Sequence, residues 1–194
     1  PNGIDPRIFG MDITRQNRPS PEQSAFLFVG NLLPVKGADR LPNIFKEILR
    51  AIPDAKFVVI GDGPLRRELE RATQDLPVKY HGRVGIESVA HCMSMASILM
   101  LPSRSEGWPT VINEAYAVGT PVVAADVGGV SEAIHDKRFL VKDGDDFDRR
   151  YARRVVEVVG SSNAYQLARR ARSFTWESLV KRELRALGLG SFAE

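Results

Sequence analysis

The sequence predicts an α/β fold in which about six parallel strands form one sheet with helices on both faces. Three observations support this class. Short apolar runs alternate with amphipathic stretches along the chain. The runs are rich in Val, Ile, Leu and Phe and mostly do not alternate with polar residues, which is typical of strands covered on both faces. Proline and glycine stand where the intervening helices should begin and end.

The predicted strands are residues 25–30, 56–61, 78–82, 98–101, 121–125 and 139–142. Between them, helices are predicted at residues 41–51, 65–74, 86–96, 110–118 and 130–135. Three more helices follow the last strand, at residues 149–159, 163–173 and 176–187. A strand followed by a helix and another strand gives a right-handed crossover, so the strands should be parallel.

Two prolines and one glycine mark helix boundaries. Pro64 can begin the second helix, because its missing N–H is harmless there. Gly119 ends the helix that starts near Thr110. Pro42 fits only if the first helix starts there or one residue earlier, since an interior proline costs ~3 kcal/mol.

Composition excludes several classes of protein. A hydrophobic content of 43% and a charged content of 26% indicate a globular chain rather than a disordered one. The single cysteine, Cys92, excludes an internal disulfide, and no run approaches the ~20 apolar residues that span a bilayer. The net charge of +3 is uneven, because residues 149–194 alone carry +6. The arginines of this segment come in pairs separated by apolar positions, and no aromatic interleaving suggests base stacking, so a nucleic-acid partner is not expected. The segment fits solvated helix faces, an anionic membrane surface or an acidic neighbouring domain.

Ligands of parallel sheets bind beyond the carboxyl ends of the strands, so function should lie in the strand-to-helix loops. The loop at residues 102–109 contains Glu106, and the helix after it carries Glu114 eight positions later. Free N–H groups at residues 110–112 would form a phosphate cradle. Because a carboxylate beside that cradle repels phosphate, Glu106 and Glu114 should accept hydrogen bonds from hydroxyl groups. This pattern predicts a nucleotide-sugar site, although a pair of surface carboxylates is the alternative.

Lys36 precedes a helix in the first loop, where its ammonium group could offset the charge of a diphosphate. An ordinary solvated lysine is the alternative. Other candidates are weaker. Arg66 stands at the third glycine position of a dinucleotide fingerprint that starts at Gly61. The three histidines (His81, His91, His135) lack metal-ligand spacing, so no metal and no cofactor are expected besides the donor.

Taken together, these segments resemble the C-terminal half of a GT-B glycosyltransferase of the retaining family 4 type. The likeness runs from residue 1 to about residue 187, with the motifs in the family's order. The motifs are Asn2-Gly3-Ile4-Asp5, Gly61-Asp62-Gly63-Pro64, the Glu106/Glu114 pair followed by residues 119–124, Gly128-Gly129-Val130-Ser131-Glu132 and Phe174-Thr175-Trp176-Glu177.

The resemblance implies a Rossmann-like nucleotide-sugar-binding domain over residues 25–194 and a hinge or linker over residues 1–24. The acceptor-binding domain would lie N-terminal to this segment in the full-length protein. Lys36 and Glu106 are the expected catalytic residues. Glu106 would contact the donor sugar and Glu114 the ribose. The expected donor-binding residues are Gly30, Asn31, Lys36, Gly82, Arg83, Val84, Glu106, Gly107, Trp108, Pro109, Thr110, Val111 and Glu114.

One departure from the family pattern concerns the first loop. Asn31 occupies a position where the family commonly has arginine, and a neutral hydrogen bond contributes less than a charged one. The expected function is transfer of a hexose from a nucleoside-diphosphate sugar to an acceptor hydroxyl. A non-catalytic nucleotide-sugar-binding module and a GT-B-type epimerase remain alternatives. The expected location is the cytoplasm, with the membrane surface as a further site if the acceptor is a lipid or polysaccharide.

Overall fold

A computed structural model describes residues 3–10, 25–134, 136–161 and 163–186 of the 194-residue chain. The strands are β1 (Ala25–Val29), β2 (Lys56–Ile60), β3 (Val78–Gly82), β4 (Ile98–Leu101), β5 (Val122–Ala125) and β6 (Leu140–Val141). The helices are α1 (Leu41–Ala51), α2 (Arg66–Ala72), α3 (Ile86–Met95), α4 (Thr110–Ala117), α5 (Val130–Ala133), α6 (Phe147–Val158), α7 (Ala164–Ala171) and α8 (Trp176–Ala186). The predicted helix ends at residues 135 and 187 lie outside the described residues.

The six strands form one parallel sheet in the order β3-β2-β1-β4-β5-β6. The predicted α/β class with a Rossmann-like sheet is therefore confirmed. The chain proceeds outward from β1 to β3 and then returns to the other side of β1 with β4. The loops after β1 and β4 diverge at this reversal, which is where ligands bind in open parallel sheets.

The apolar runs form strands because both faces of the sheet are covered. Every residue of β4 and β5 is buried. Helix α1 packs against α6, while α4 packs against α7 and α3, so the two groups cover opposite faces. The outer strand β3 is different, since Lys79 and His81 are exposed at its edge position.

Most boundaries follow the sequence, with two exceptions. Helix α1 begins at Leu41, so Pro42 occupies its first turn as expected. Pro64 does not begin α2, which starts two residues later. The reason is tertiary: the N–H of Leu65 donates to the carbonyl of Leu32 at 3.2 Å and ties this turn to the first loop. Strand β6 has only two residues, because a 3₁₀ turn over Lys137–Phe139 precedes it.

Residues 3–10 lie against the C-terminal part of the chain. The N–H of Ile4 donates to the carbonyl of Phe174 at 3.0 Å, and the side chains of Ile4 and Phe9 are buried. Residues 11–24, the rest of the predicted linker, lie outside the described residues. The linker role of residues 1–24 stays a prediction.

Tyr151 on α6 joins two central strands. Its buried hydroxyl accepts a hydrogen bond from the N–H of Leu101 at 2.8 Å and donates to the carbonyl of Val123. We expect Tyr151→Phe to lower the free energy of unfolding by ~1–3 kcal/mol, because both backbone groups lose a buried partner. The measurement is chemical denaturation followed by circular dichroism.

The control is Tyr80→Phe, which removes a hydroxyl that lies 3.0 Å from that of Thr73 in a half-buried position. A loss of only ~0.5–1.5 kcal/mol is expected for this variant, since water can replace the partner. Equal losses for the two variants would contradict the bridging role of Tyr151.

Candidate functional site

A cleft of about 180 Å³ opens at the carboxyl edge of the sheet between β1 and β4. It lies at the reversal of strand order, among the strand-to-helix loops where the sequence predicted a site. The cleft is lined by Phe28, Val29, Gly30, Lys36, Leu101, Ser103, Glu106, Trp108, Pro109, Thr110 and Val111.

Lys36 and Glu106 face each other across this cleft. Lys36 Nζ lies 2.9 Å from Glu106 Oε1 and 2.8 Å from Oε2, although the two residues are 70 positions apart. The Glu106 side chain is only 7% exposed, whereas that of Lys36 is 34% exposed. A carboxylate this buried requires charged or hydrogen-bonding partners, and Lys36 supplies one of them.

Ser103 supplies the other partner. This fully buried serine lies two residues beyond β4, and its Oγ donates to Glu106 Oε1 at 2.7 Å. Ser103 is not among the residues predicted from the sequence. Its position three residues before Glu106, at the carboxyl end of a buried strand, was the available signal.

Close backbone contacts fix three loops, those after β1, β4 and β5, relative to one another. Gly37 follows Lys36 with φ of 68°, and a Cβ at this position would lie 2.0 Å from the carbonyl oxygen of Pro102. Gly128, with φ of 51°, lies equally close to the carbonyl oxygen of Glu106, at 1.9 Å from an added Cβ. Both positions therefore require glycine for two independent reasons, the left-handed backbone and the lack of space.

Arg104 joins the loop after β4 to the loop after β1 through its side chain and its backbone. Its N–H donates to the carbonyl of Val35 at 2.9 Å, and its guanidinium contacts both carboxylate oxygens of Asp39 at 2.7 Å. Burial alone would raise the pKa of Asp39, but the hydrogen bonds and charge of Arg104 outweigh it and hold that pKa below its ordinary value. This ion pair fixes the segment that carries Lys36.

The start of α4 offers fewer N–H groups than predicted. Thr110 and Val111 are its first two residues, and such N–H groups have no partner within a helix. The N–H of Ile112, however, donates to the carbonyl of Pro109 at 3.2 Å, so the expected cradle over residues 110–112 was wrong at Ile112. Pro109 itself has no N–H and can line the cleft only with its ring.

Glu114 lies one turn further along α4 and does not line the cleft itself. Burial raises the pKa of its carboxyl group, and a hydrogen bond with Thr110 partly opposes that rise. Thr110 lines the cleft, so this hydrogen bond connects Glu114 to a residue of the cleft wall.

Several predicted donor residues lie outside the cleft. Asn31 is exposed and follows Gly30, which lines the cleft. Gly107 is exposed on the loop after β4, directly after Glu106. Residues 82–84 stand at the end of β3, which β2 separates from β1. The structure therefore does not bring Gly82, Arg83 and Val84 to the Lys36–Glu106 cleft, because the strand order places them two strands away.

A larger cavity of about 680 Å³ opens near the amino end of β5 and contains none of the predicted site residues. Within the described ranges, no three His, Cys, Asp or Glu side chains are grouped as metal ligands. The helices of those same ranges include none that is both long and apolar enough to cross a bilayer.

Comparison with known proteins identifies the family whose model matches most of the chain. Residues 23–161 match the model of the family described as "Glycosyl transferases group 1". A GDP-mannose-dependent alpha-(1-6)-phosphatidylinositol monomannoside mannosyltransferase of Mycolicibacterium smegmatis is 32% identical over 166 residues, covering 76% of this chain and 43% of the relative. An uncharacterized glycosyltransferase of Methanocaldococcus jannaschii is 39% identical over 113 residues, covering 57% of this chain and 31% of that protein.

Solved structures agree on the fold. Sucrose-phosphate synthase from Thermosynechococcus elongatus has a TM-score of 0.74 at 24% identity, covering 98% of this chain and 52% of that one. Anabaena HepE in complex with UDP and glucose has a TM-score of 0.71 at 20% identity, covering 96% of this chain and 55% of that one. The chain spans less than half the length of the curated relatives named above.

The Arg104–Asp39 ion pair predicts a pH-dependent contribution to stability. A lowered carboxyl pKa stabilises the folded state above the unfolded-state value of about 3.9, and this stabilisation is lost as pH falls through the folded-state value. Because both side chains are about one-third exposed, we expect Asp39→Asn to lower the free energy of unfolding by only ~0.5–1 kcal/mol at pH 7. Urea denaturation at pH 7 and below pH 4 measures the change.

The difference between wild type and Asp39→Asn should shrink below pH 4. Asp54→Asn is the control, since Asp54 is exposed in the turn before β2, and it should change stability by less than ~0.5 kcal/mol. A pH-independent loss for Asp39→Asn would contradict the ion-pair explanation.

Proposed function

This chain belongs to the group 1 glycosyltransferases, and we propose that it supplies the donor-binding half of a retaining enzyme. That enzyme would transfer a hexose from a nucleoside-diphosphate sugar to an acceptor hydroxyl. The observation that carries the proposal is the contact of Lys36 with Glu106 beside the start of α4, at the strand-order reversal. The cation and the helix N–H groups suit the diphosphate of such a donor, and the carboxylate suits its sugar hydroxyls.

The diphosphate is the group that the positive side of the cleft suits. Lys36 provides an ammonium group, and the N–H groups of Thr110 and Val111 add the positive end of the helix dipole. Charge develops on the diphosphate as the sugar leaves. Donors already aimed at that charge stabilise the transition state, which is commonly the largest contribution to catalysis.

The sugar hydroxyls suit the carboxylates. A carboxylate accepts hydrogen bonds in about four directions, so Glu106 can hold two hydroxyl groups of the hexose. Glu114 would accept hydrogen bonds from the ribose once the donor reaches past Thr110. In a retaining reaction, the departing phosphate would assist the acceptor on the same face of the sugar.

Donor binding exchanges partners for Lys36 and Glu106. Without donor, the two groups neutralise each other, which avoids an unpaired charge in a nearly buried position. The diphosphate would take over Lys36 while hydroxyl groups take over Glu106. Neither group is left unpaired, so the exchange costs less than the removal of either partner alone.

The cleft is small for a whole donor. Its volume of about 180 Å³ is below the ~300–1,000 Å³ that is usual for ligand sites. We propose that the donor extends beyond this cleft. An N-terminal acceptor domain would cover the sugar, and residues 82–84, two strands away, would contact the nucleobase at the far end of the donor. The named relatives are transferases, so no observation favours the epimerase or the non-catalytic module.

The acceptor is proposed to lie at a membrane surface. Two relatives, one from Mycolicibacterium smegmatis and one from Corynebacterium glutamicum, are named as phosphatidylinositol monomannoside mannosyltransferases. Residues 149–194 carry +6, which suits an anionic surface facing the cytoplasm. Vesicles of anionic lipid therefore belong among the acceptor preparations in any transfer assay.

Thermal unfolding with UDP-, GDP- and ADP-sugars tests donor binding. A ligand at about 100 times its Kd stabilises the folded state by ~2.7 kcal/mol, which raises Tm by roughly 5–10 °C at this size. We expect one class of donor to give such a rise and Glu114→Ala to remove most of it. Glu183→Ala, an exposed change on α8, should keep the full shift. The absence of a shift with every donor would contradict the proposal.

Lys36→Ala tests the diphosphate contact. We expect roughly 10-fold weaker binding of UDP or GDP by calorimetry, because a charge-assisted hydrogen bond is lost. Lys46→Ala is the matched control, since Lys46 is exposed on α1 away from the cleft. Equal affinities for Lys36→Ala and wild type would exclude Lys36 from phosphate binding.

A further inference from the structure

Ser103 has the geometry of a positioning residue for Glu106. It is 0% exposed, and its hydroxyl donates to Oε1 of Glu106 at 2.7 Å. Oε1 also accepts from Lys36 at 2.9 Å, and Oε2 accepts from Lys36 at 2.8 Å. The carboxylate is therefore held from two directions.

The two partners of Glu106 differ in what they fix. Lysine carries a compact charge on a flexible four-carbon stem, so it attracts the carboxylate without fixing its rotation. Ser103 has a short side chain in a buried position directly after β4, and its O–H donates to one chosen oxygen. Ser103 is thus the partner that determines which way the carboxylate plane points.

The difference matters when donor binds. In the proposed function the diphosphate draws Lys36 away, and Ser103 is then the remaining partner of Glu106 among the described residues. We infer that Ser103 holds the Glu106 carboxylate in the orientation that accepts the sugar hydroxyls after Lys36 has turned to the diphosphate. This inference rests on the proposed function and adds a residue that contacts no substrate.

The affinity for the sugar nucleotide and the affinity for the nucleoside diphosphate should respond differently to loss of the Ser103 hydroxyl, whereas a general folding defect would lower both. Glu106 faces the sugar, so loss of its orientation should weaken binding of the sugar nucleotide but not of the nucleoside diphosphate. The test is calorimetry on the full-length protein with UDP-glucose against UDP, and GDP-mannose against GDP. Ser103→Ala is expected to lower the affinity for the sugar nucleotide roughly 10-fold and the affinity for the nucleoside diphosphate less than ~2-fold.

Three further variants sharpen the test. Ser105→Ala removes an exposed hydroxyl from the same loop and should bind both ligands like wild type. Ser103→Thr keeps the hydroxyl and should restore sugar-nucleotide affinity. In a Glu106→Ala background, Ser103→Ala should have almost no additional effect, because the group that it orients is gone.

The outcomes are distinct. Equal weakening of sugar nucleotide and diphosphate, or the same loss with and without Glu106, would show a structural role and overturn the inference. If Ser103→Ala does not fold, Ser103→Cys provides the same comparison, since a thiol of similar size is a weak donor. Wild type that binds neither the sugar nucleotides nor the diphosphates would overturn the proposed function itself.

Discussion

Close backbone packing between loops at the carboxyl edge of the sheet is the constraint on which the site depends. Gly37 lies against the carbonyl of Pro102, and Gly128 lies against the carbonyl of Glu106. Neither contact leaves space for a side chain. Three loops after three different strands are thereby fixed relative to one another, and the residues that they carry inherit this arrangement.

Arginine side chains reinforce the same junction. Arg40 is nearly buried, donates to the carbonyl of Pro102 at 3.0 Å and contacts Asp143, while its guanidinium lies 4.0 Å from the centre of the Phe147 ring. Arg104 joins the same two loops nearer to solvent through its ion pair with Asp39. The planar guanidinium group can satisfy a carbonyl, a carboxylate and an aromatic face at once, which a lysine cannot. The first loop is therefore tied both to the loop after β4 and to α6.

This rigid frame surrounds a small group of polar side chains that can change partners. Lys36 and Glu106 are paired in the cleft, and Glu114 shares a hydrogen bond with Thr110, which lines it. The frame fixes the backbones that carry these side chains. Such preorganisation suits the stabilisation of a departing diphosphate that the proposed function requires.

The sequence by itself determined the strands, most of the helices and the edge of the sheet where a site should lie. Apolar runs, proline positions and strand-to-helix alternation are local signals, and local interactions control them. Only the tertiary structure decided that Lys36 meets Glu106 across 70 positions, that Ser103 joins them and that residues 82–84 lie two strands away. It also decided that the N–H of Ile112 is already used. The Lys36–Glu106 contact and the position of residues 82–84 depend on strand order and on contacts between distant loops, which no local pattern encodes. Ser103 and Ile112 use partners only three residues away, and the conformation of the loop in the folded chain decides those two contacts.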